Sequence, residues 1–429
     1  MKPLREVLRG HQVICCVGSG GVGKTTTAAA LALRAAMDGQ RVLVLTIDPA
    51  RRLANALGLK ELGNEETRID PALLAQAGLT PRGEMWAMML DLKHTWDALV
   101  KAQARTPQQA QAILENRLYQ TLSTAMAGSL EYMAMEKVYE VYNSKRFDLV
   151  VLDTPPTSNA LDFLQASSRI LDVLDSNAMK IVLGPMLKAG KIGFKLLAMP
   201  TGLVLRTLAR FTGADFLRDL TAFMLAFEGM YEGFKERAGK VKALLKSREA
   251  AFVLVTSPNP LTIEEALFFH KALRDDGIAT AAVVVNRVQR DPRRHGGPET
   301  VGLLQEALHL AQIKDAPAPP LPERGLATPP SERDLATPLS ERGLATPPSE
   351  RDLATPLSER DLAAPLSARL YRTLTEQATL ADLDRREIER LRATLSSVPL
   401  YTVPRLRKDV HDLAGLWQID SYLEEHGGE

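Results

Sequence analysis

The chain is nearly devoid of cysteine. Its two, Cys15 and Cys16, are adjacent in the apolar run "VICCV". Neighbours on a strand point to opposite faces, so these thiols do not pair with each other. Neither a disulfide framework nor a multi-cysteine metal site can be assembled from them, which fits a reducing, cytoplasmic compartment. An excess of charge of one sign is missing too. Lys and Arg number 53 against 52 Asp and Glu, a net charge of +1. A general nucleic-acid binder needs a basic surplus to displace counterions, so no nucleic-acid partner is expected. Long hydrophobic runs are also lacking. The most apolar region, 181–211, is interrupted by Lys188, Lys191, Lys195 and Arg206. Its charge-free stretch "LLAMPTGLVL" is about half of the roughly 20 residues a membrane helix requires. No membrane span is read, and no export signal, because "VICCV" is short and leads directly into a glycine loop.

What the 429 residues do contain is 45% hydrophobic and 24% charged side chains, enough to bury a sizeable core. Short β-branched runs alternate with longer helical patterns. Strands are expected at 12–17, 41–47, 85–90, 147–152, 251–256 and 281–286, with a last short one at 400–403. Runs apolar on both faces suit an α/β fold with a mostly parallel central sheet flanked by helices. Almost a hundred residues between the fourth and fifth strands carry no strand signal. About 165–245 reads as a helical subdomain: Phe216, Leu220, Phe223, Phe227, Met230 and Phe234 recur at spacings of three and four. Met179, Met186, Met199, Met224 and Met230 would give it adaptable apolar surface, or simply pack it on the sheet.

Residues 315–367 differ in kind. Five nonapeptides follow one another from Glu323 to Ser367: "ERGLATPPS", "ERDLATPLS", "ERGLATPPS", "ERDLATPLS" and "ERDLAAPLS". Each has proline and few large apolar residues, too little burial to offset the entropy of ordering. The segment reads as an expanded, disordered linker of polyproline character. A stacked nonapeptide solenoid is the alternative, but glycine turns and β-branched residues are lacking. Order is expected to return at Ala368, with a helical pattern from Leu370 through Leu374, Leu380, Leu383, Ile388 and Leu391 to Leu395, ending near Ser397. The expected division is therefore 1–314, a nucleotide-binding core with the helical subdomain; 315–367, the linker; and 368–429, a helix and strand that complete the core.

The segment "GSGGVGKT" at 18–25 fits G-x-x-x-x-G-K-[ST] in full, with Gly18, Ser19, Gly20, Gly21, Val22, Gly23, Lys24 and Thr25. It follows an apolar run and opens the helical pattern "KTTTAAALALRAAM", which is the context a phosphate-binding P-loop requires. Glycines let the backbone wrap phosphates with its N–H groups inward, and the helix N-terminus adds partial positive charge. Lys24 is expected on the β- and γ-phosphates of ATP, Thr25 on Mg²⁺ and Thr26 on a further phosphate oxygen. In "FDLVVLDTPPT" at 147–157 a strand ends at Asp153; a carboxylate there, beside a P-loop, holds Mg²⁺ and its waters. In "VLTIDPARR" at 44–52 another strand ends at Asp48, which either orients the attacking water or caps the following helix.

Together these segments resemble the ArsA family of ATPases, part of the deviant P-loop group with MinD, ParA and the nitrogenase iron protein. "TIDPA" and "DTPPT" are the features that resemble the ArsA branch, and the similarity runs through most of the chain outside the nonapeptides. The resemblance implies an ATP hydrolase in which Asp48 positions the water and Asp153 begins the second switch. It also implies that Asn286, in "VVVNRV", and Pro399, in "VPLY", hold the adenine.

Three departures stand beside it. The group's lysine before the double glycine, which contacts ATP across a dimer interface, is replaced by Ser19. The paired cysteines with which tail-anchored-protein ATPases clamp a dimer through zinc are absent, so no zinc is expected. The three cysteines of the arsenite site are absent as well. Arg51 and Arg52 follow Asp48 closely, and one of them is a candidate for the charge missing at Ser19, the alternative being a solvated pair at a helix start.

The leading expectation is an ATP-driven switch, a homodimer or a heterodimer with a paralogue, that moves the helical region against a protein client. A nucleotide-dependent binding module with little turnover, pairing with a lysine-containing paralogue, is the second. The motor subunit of an anion or arsenite pump in a membrane is the third. A MinD- or ParA-like role fits less well, because the C-terminal "SYLEEHGGE" is acidic.

Overall fold

A computed structural model describes residues 4–48, 52–125, 129–154, 219, 223, 231–295, 359–406 and 408–425. The chain divides into two compact units, Met1–Gln289 with Leu383–Glu429, and Arg290–Asp382. The described elements, in chain order, are α1 (Leu4–Gly10), β1 (Val13–Val17), α2 (Lys24–Met37), β2 (Arg41–Thr46), α3 (Arg52–Ala56), β3 (Thr67–Arg68) and α4 (Pro71–Gln76). Then come β4 (Glu84–Met89), α5 (Leu92–Gln103), α6 (Pro107–Leu114), α7 (Arg117–Ala125), α8 (Ser129–Ser144), β5 (Leu149–Asp153) and α9 (Tyr231–Lys246). The chain continues with β6 (Ala250–Thr256), α10 (Pro260–Asp275), β7 (Thr280–Val288), α11 (Pro292–His295), α12 (Glu359–Thr394), β8 (Leu400–Pro404) and α13 (Leu413–Glu425).

All eight strands join one sheet in the order β3-β4-β2-β5-β1-β6-β7-β8. Every pairing is parallel except β3 with β4. The α/β architecture read from the alternating runs is the one found, and each expected strand is present within two residues of its expected ends. Residues of β1 alternate between two cores: Val13, Cys15 and Val17 face one, Ile14 and Cys16 the other. The two free cysteines are buried on opposite faces of the sheet, as strand geometry requires.

Helix α2 lies on the second face. Its run of alanines, from Ala28 to Ala36, is buried and lets the backbone approach the strands closely. Leu416 and Leu423 of α13 are fully buried in the same core. Each such side chain contributes about 1.5–3 kcal/mol relative to exposure. A buried ion pair adds direction to this contact. Arg34 Nε of α2 donates to Asp420 Oδ1 of α13 at 2.9 Å, a second guanidinium nitrogen reaches Oδ2, and the guanidinium lies 4.6 Å over the ring of Trp417.

Two details differ from expectation. The antiparallel edge strand β3 has only two residues, both exposed, so it carries no hydrophobic alternation to read. Helix α12 begins at Glu359, ahead of the expected return of order at Ala368, so the last nonapeptide is helical. Leu362, Leu366, Leu370 and Leu374 recur every four residues and carry the helical period through it, at the cost of the hydrogen bond that Pro365 cannot make. Residues 315–358 of the linker and most of the helical region lie outside the described residues. From that region's stripe, Phe234 of α9 is buried, with its ring 6.3 Å from that of Trp96. The five methionines singled out in it also lie outside the described residues. Within the second unit, Arg293 donates to both Asp291 and Asp382, at 2.8 and 2.5 Å.

Candidate functional site

The loop 18–23 leaves the carboxyl end of β1, near the middle of the sheet, and Lys24 opens α2. Two of its glycines are required by geometry. Gly18 has φ 152°, and a Cβ there would stand 2.0 Å from the carbonyl oxygen of Val255 on β6. Gly23, with φ 99°, is the N-cap of α2, and a Cβ on it would stand 2.1 Å from Asn286 Nδ2. No side chain caps α2, so its first N–H groups are left for a ligand at the helix start.

Lys24 is 6% exposed and folded under the loop, where its ammonium donates to the carbonyl oxygens of Gly18 and Ser19, both at 2.8 Å. Burial pushes its pKa down, while Asp153 and Asp48 pull it back up and Arg52 lowers it. The three carboxylate and cationic residues are thus close enough to Lys24 to act on its charge.

Strand register places the second half of the site. Asp153 ends β5 directly beside Thr46 of β2 and Cys16 of β1. It is fully buried, and its Oδ2 accepts from Thr46 Oγ1 at 2.8 Å. Thr46 Oγ1 also accepts from the backbone N–H of Asp48, at 3.2 Å. Burial raises the Asp153 carboxyl to about 6, against the pull of the Thr25 and Thr46 hydroxyls and of Lys24. Its Oδ1 is buried with no hydrogen-bond partner. Such an orphaned oxygen is costly unless something else binds there. Beside the Thr25 hydroxyl it forms an oxygen donor set of the kind a Mg²⁺ ion accepts, so the residues fit that ion.

The structure therefore brings Gly18, Ser19, Gly20, Gly21, Val22, Gly23, Lys24, Thr25 and Thr26 together with Asp48 and Asp153 at one end of the sheet. Asn286, near the carboxyl end of β7, joins them. Its Nδ2 donates to the Val22 carbonyl oxygen at 2.8 Å, and its Oδ1 accepts from Arg287 N at 2.8 Å. Arg287 has φ 62°, an uncommon conformation for a residue other than glycine, and it lies where the register of β7 on β8 shifts, just past the asparagine.

Pro399 is not brought to the site. It precedes β8, and its carbonyl oxygen accepts from Val283 N at 2.8 Å, which is the strand-start end of the sheet. Pro404, paired with Val288 at the carboxyl end of β8, stands on the loop side instead. Arg51 lies outside the described residues. Arg52 begins α3, 63% exposed, with its Nε 3.8 Å from Asp48. Sequence reasoning missed Thr46, and also Glu265 of α10, whose carboxylate accepts from the Ser19 hydroxyl.

A glycine loop between a central parallel strand and a helix, closed over its own lysine, defines the P-loop nucleotide hydrolases. Within that class the sequence is specific. Residues 11–301 match the ArsA ATPase family, the anion-transporting ATPases. The chain belongs to that family and is an ATPase. It is 28% identical over 281 residues to ATPase GET3 of Malassezia globosa, covering 65% of this chain and 73% of that protein. To ATPase get3 of Aspergillus terreus it is 27% identical over 274 residues, covering 63% and 71%.

Proposed function

We propose that the chain is a Mg²⁺-dependent ATPase whose turnover opens and closes a two-chain assembly and so moves the helical region, about 165–245, against a protein client. The observation that carries the Mg²⁺ assignment is the buried, unpartnered Oδ1 of Asp153 beside Thr25. Bound there, the ion would neutralise charge on the β- and γ-phosphates. The chain's own residues do the rest. Backbone N–H groups of 18–23 and the start of α2 surround the phosphates. Lys24 exchanges its two carbonyl partners for phosphate oxygens, and Thr26 adds a further contact. Asp48, tied to Thr46 through its own N–H, orients the attacking water and accepts its proton. Asn286 braces the loop with one N–H and presents its second N–H and a lone pair to the base, which the carboxyl end of β8 at Pro404 flanks. An Arg52→Ala variant with normal turnover would remove Arg52 from the catalytic group.

A reducing compartment, the cytoplasm, is part of this proposal, supported by a chain whose two cysteines are both free. No described helix is long and apolar enough to cross a membrane. A nucleotide-dependent binding module that pairs with a lysine-containing paralogue is the second reading, favoured by Ser19. Hydrolysis by the purified chain, with and without Mg²⁺, over a range of protein concentrations and beside Asp48→Asn, separates the two. A rate per chain that climbs with concentration and vanishes in the variant supports the switch. Tight ATP binding with no turnover at any concentration supports the binding module.

A further inference from the structure

The P-loop is held from outside at three points. Gly18 abuts Val255 of β6, Val22 accepts from Asn286 of β7, and Ser19 donates its hydroxyl proton to Glu265 of α10. Only the last contact carries a formal charge. Ser19 is 9% exposed, and its carbonyl oxygen is one of the two that receive the Lys24 ammonium. Among the described residues no lysine or arginine forms an ion pair with Glu265. The base of α10 is itself fixed: Asn259 caps it through Leu261 N at 2.9 Å, and Thr262 Oγ1 donates to Ser257 O at 2.9 Å. A capped helix thus holds a carboxylate against the first turn of a loop that must receive a polyphosphate.

We infer that Glu265 is a positioning residue of the phosphate loop that sets nucleotide affinity in two opposed ways. Through Ser19 it fixes the first turn in its binding shape, and through its charge it opposes the incoming phosphates. The inference rests on the nucleotide-binding reading above. In a glutamine the acceptor oxygen remains and the charge is gone; in an alanine both are gone.

The test is equilibrium binding of MgATP to the full chain at low and high salt, for wild type, Glu265→Gln and Glu265→Ala, each with Ser19 and with Ser19→Ala. Glu265→Gln is expected to bind about fivefold more tightly than wild type at low salt, with the gain shrinking at high salt as charge is screened. Glu265→Ala should bind more weakly than Glu265→Gln, and that gap should close when Ser19 is alanine, since the two residues then share no contact. A purely structural role for Glu265 predicts no salt-dependent gain in Glu265→Gln. Equal affinities of wild type and Glu265→Gln at low salt would overturn the inference, as would a Gln–Ala gap that persists without the Ser19 hydroxyl. Failure of wild type to bind MgATP at either salt is a different result and counts against the nucleotide-binding reading itself.

Discussion

Gly23 is squeezed between a backbone requirement and a neighbour. Its φ of 99° is left-handed, and the Cβ position is taken by Asn286 Nδ2. Alanine in a left-handed conformation costs about 1–2 kcal/mol, and displacing Asn286 from the Val22 carbonyl adds roughly 1 kcal/mol. Gly23→Ala is therefore expected to lower unfolding free energy by about 2–3 kcal/mol in urea titrations and to abolish the thermal shift given by ATP. Unchanged urea midpoints would contradict the steric argument. Asp153→Asn is expected to stay folded, keeping its contact with Thr46, while Mg²⁺-stimulated hydrolysis falls at least about 100-fold; retention of Mg²⁺ stimulation in that variant would remove Asp153 from the metal site. The residues of the loop were legible because eight contiguous positions carry the pattern, and Asp153 because it ends an apolar run. Thr46 and Glu265 were not, because their partners lie 107 and 246 residues away and leave no local trace. That Pro399 lies away from the loop was not legible, because only the direction of β8 tells which end of that strand meets the loop end of the sheet.

At the scale of elements, the contact between α2 and α13 is the one that braces the helix behind the loop. Asp420 is fully buried, and burial raises its carboxyl to about 6, against the hydrogen bond and charge of Arg34, with Glu424 and Asp38 nearby pushing it further up. The folded-state pKa is above the ordinary 3.8, so this group's contribution is complete below about pH 4 and is lost as pH rises through about 6. Relative to Asp420→Asn, which does not titrate, wild type should lose on the order of 3 kcal/mol between those limits. Urea unfolding of both at intervals from pH 4 to 7.5 measures it, and parallel pH profiles would sink the assignment. Arg34→Ala leaves the carboxylate buried without its partner and is expected to cost about 3–5 kcal/mol at pH 7.5. Elements of this kind were legible where burial was regular. The main strands are apolar on both faces, and their expected ends were close. The edge strand β3 was invisible because two exposed residues have no period, and α12 started early because proline in the nonapeptide array masked a four-residue leucine spacing.

For the whole molecule the decisive fact is that the nucleotide unit is discontinuous in sequence. Residues Leu383–Glu429 belong to the same compact unit as Met1–Gln289. They supply β8, which pairs with β7 along its length, the α13 layer over α2, and Ile388, Leu391 and Leu395 of α12 in the opposite core. A chain ending at 314 would expose the β7 edge, the α2 surface and part of both cores at once, which invites association through the edge. Such a truncation is expected to be insoluble or to unfold well below the full chain. If the intervening segment serves only as a tether, its length matters little, since closure entropy grows slowly with length. Supplying 368–429 as a separate polypeptide should then restore a folded ATPase at concentrations that replace the tether, on the order of millimolar effective concentration or less where the interface is strong. Co-expression of the two pieces, followed by copurification and an ATPase assay, is the measurement. Recovery of activity from the pair alone would establish that the array is dispensable for the catalytic unit. Full activity and normal melting of 1–314 by itself would instead show that β8 and α13 are accessory to a core that is already complete.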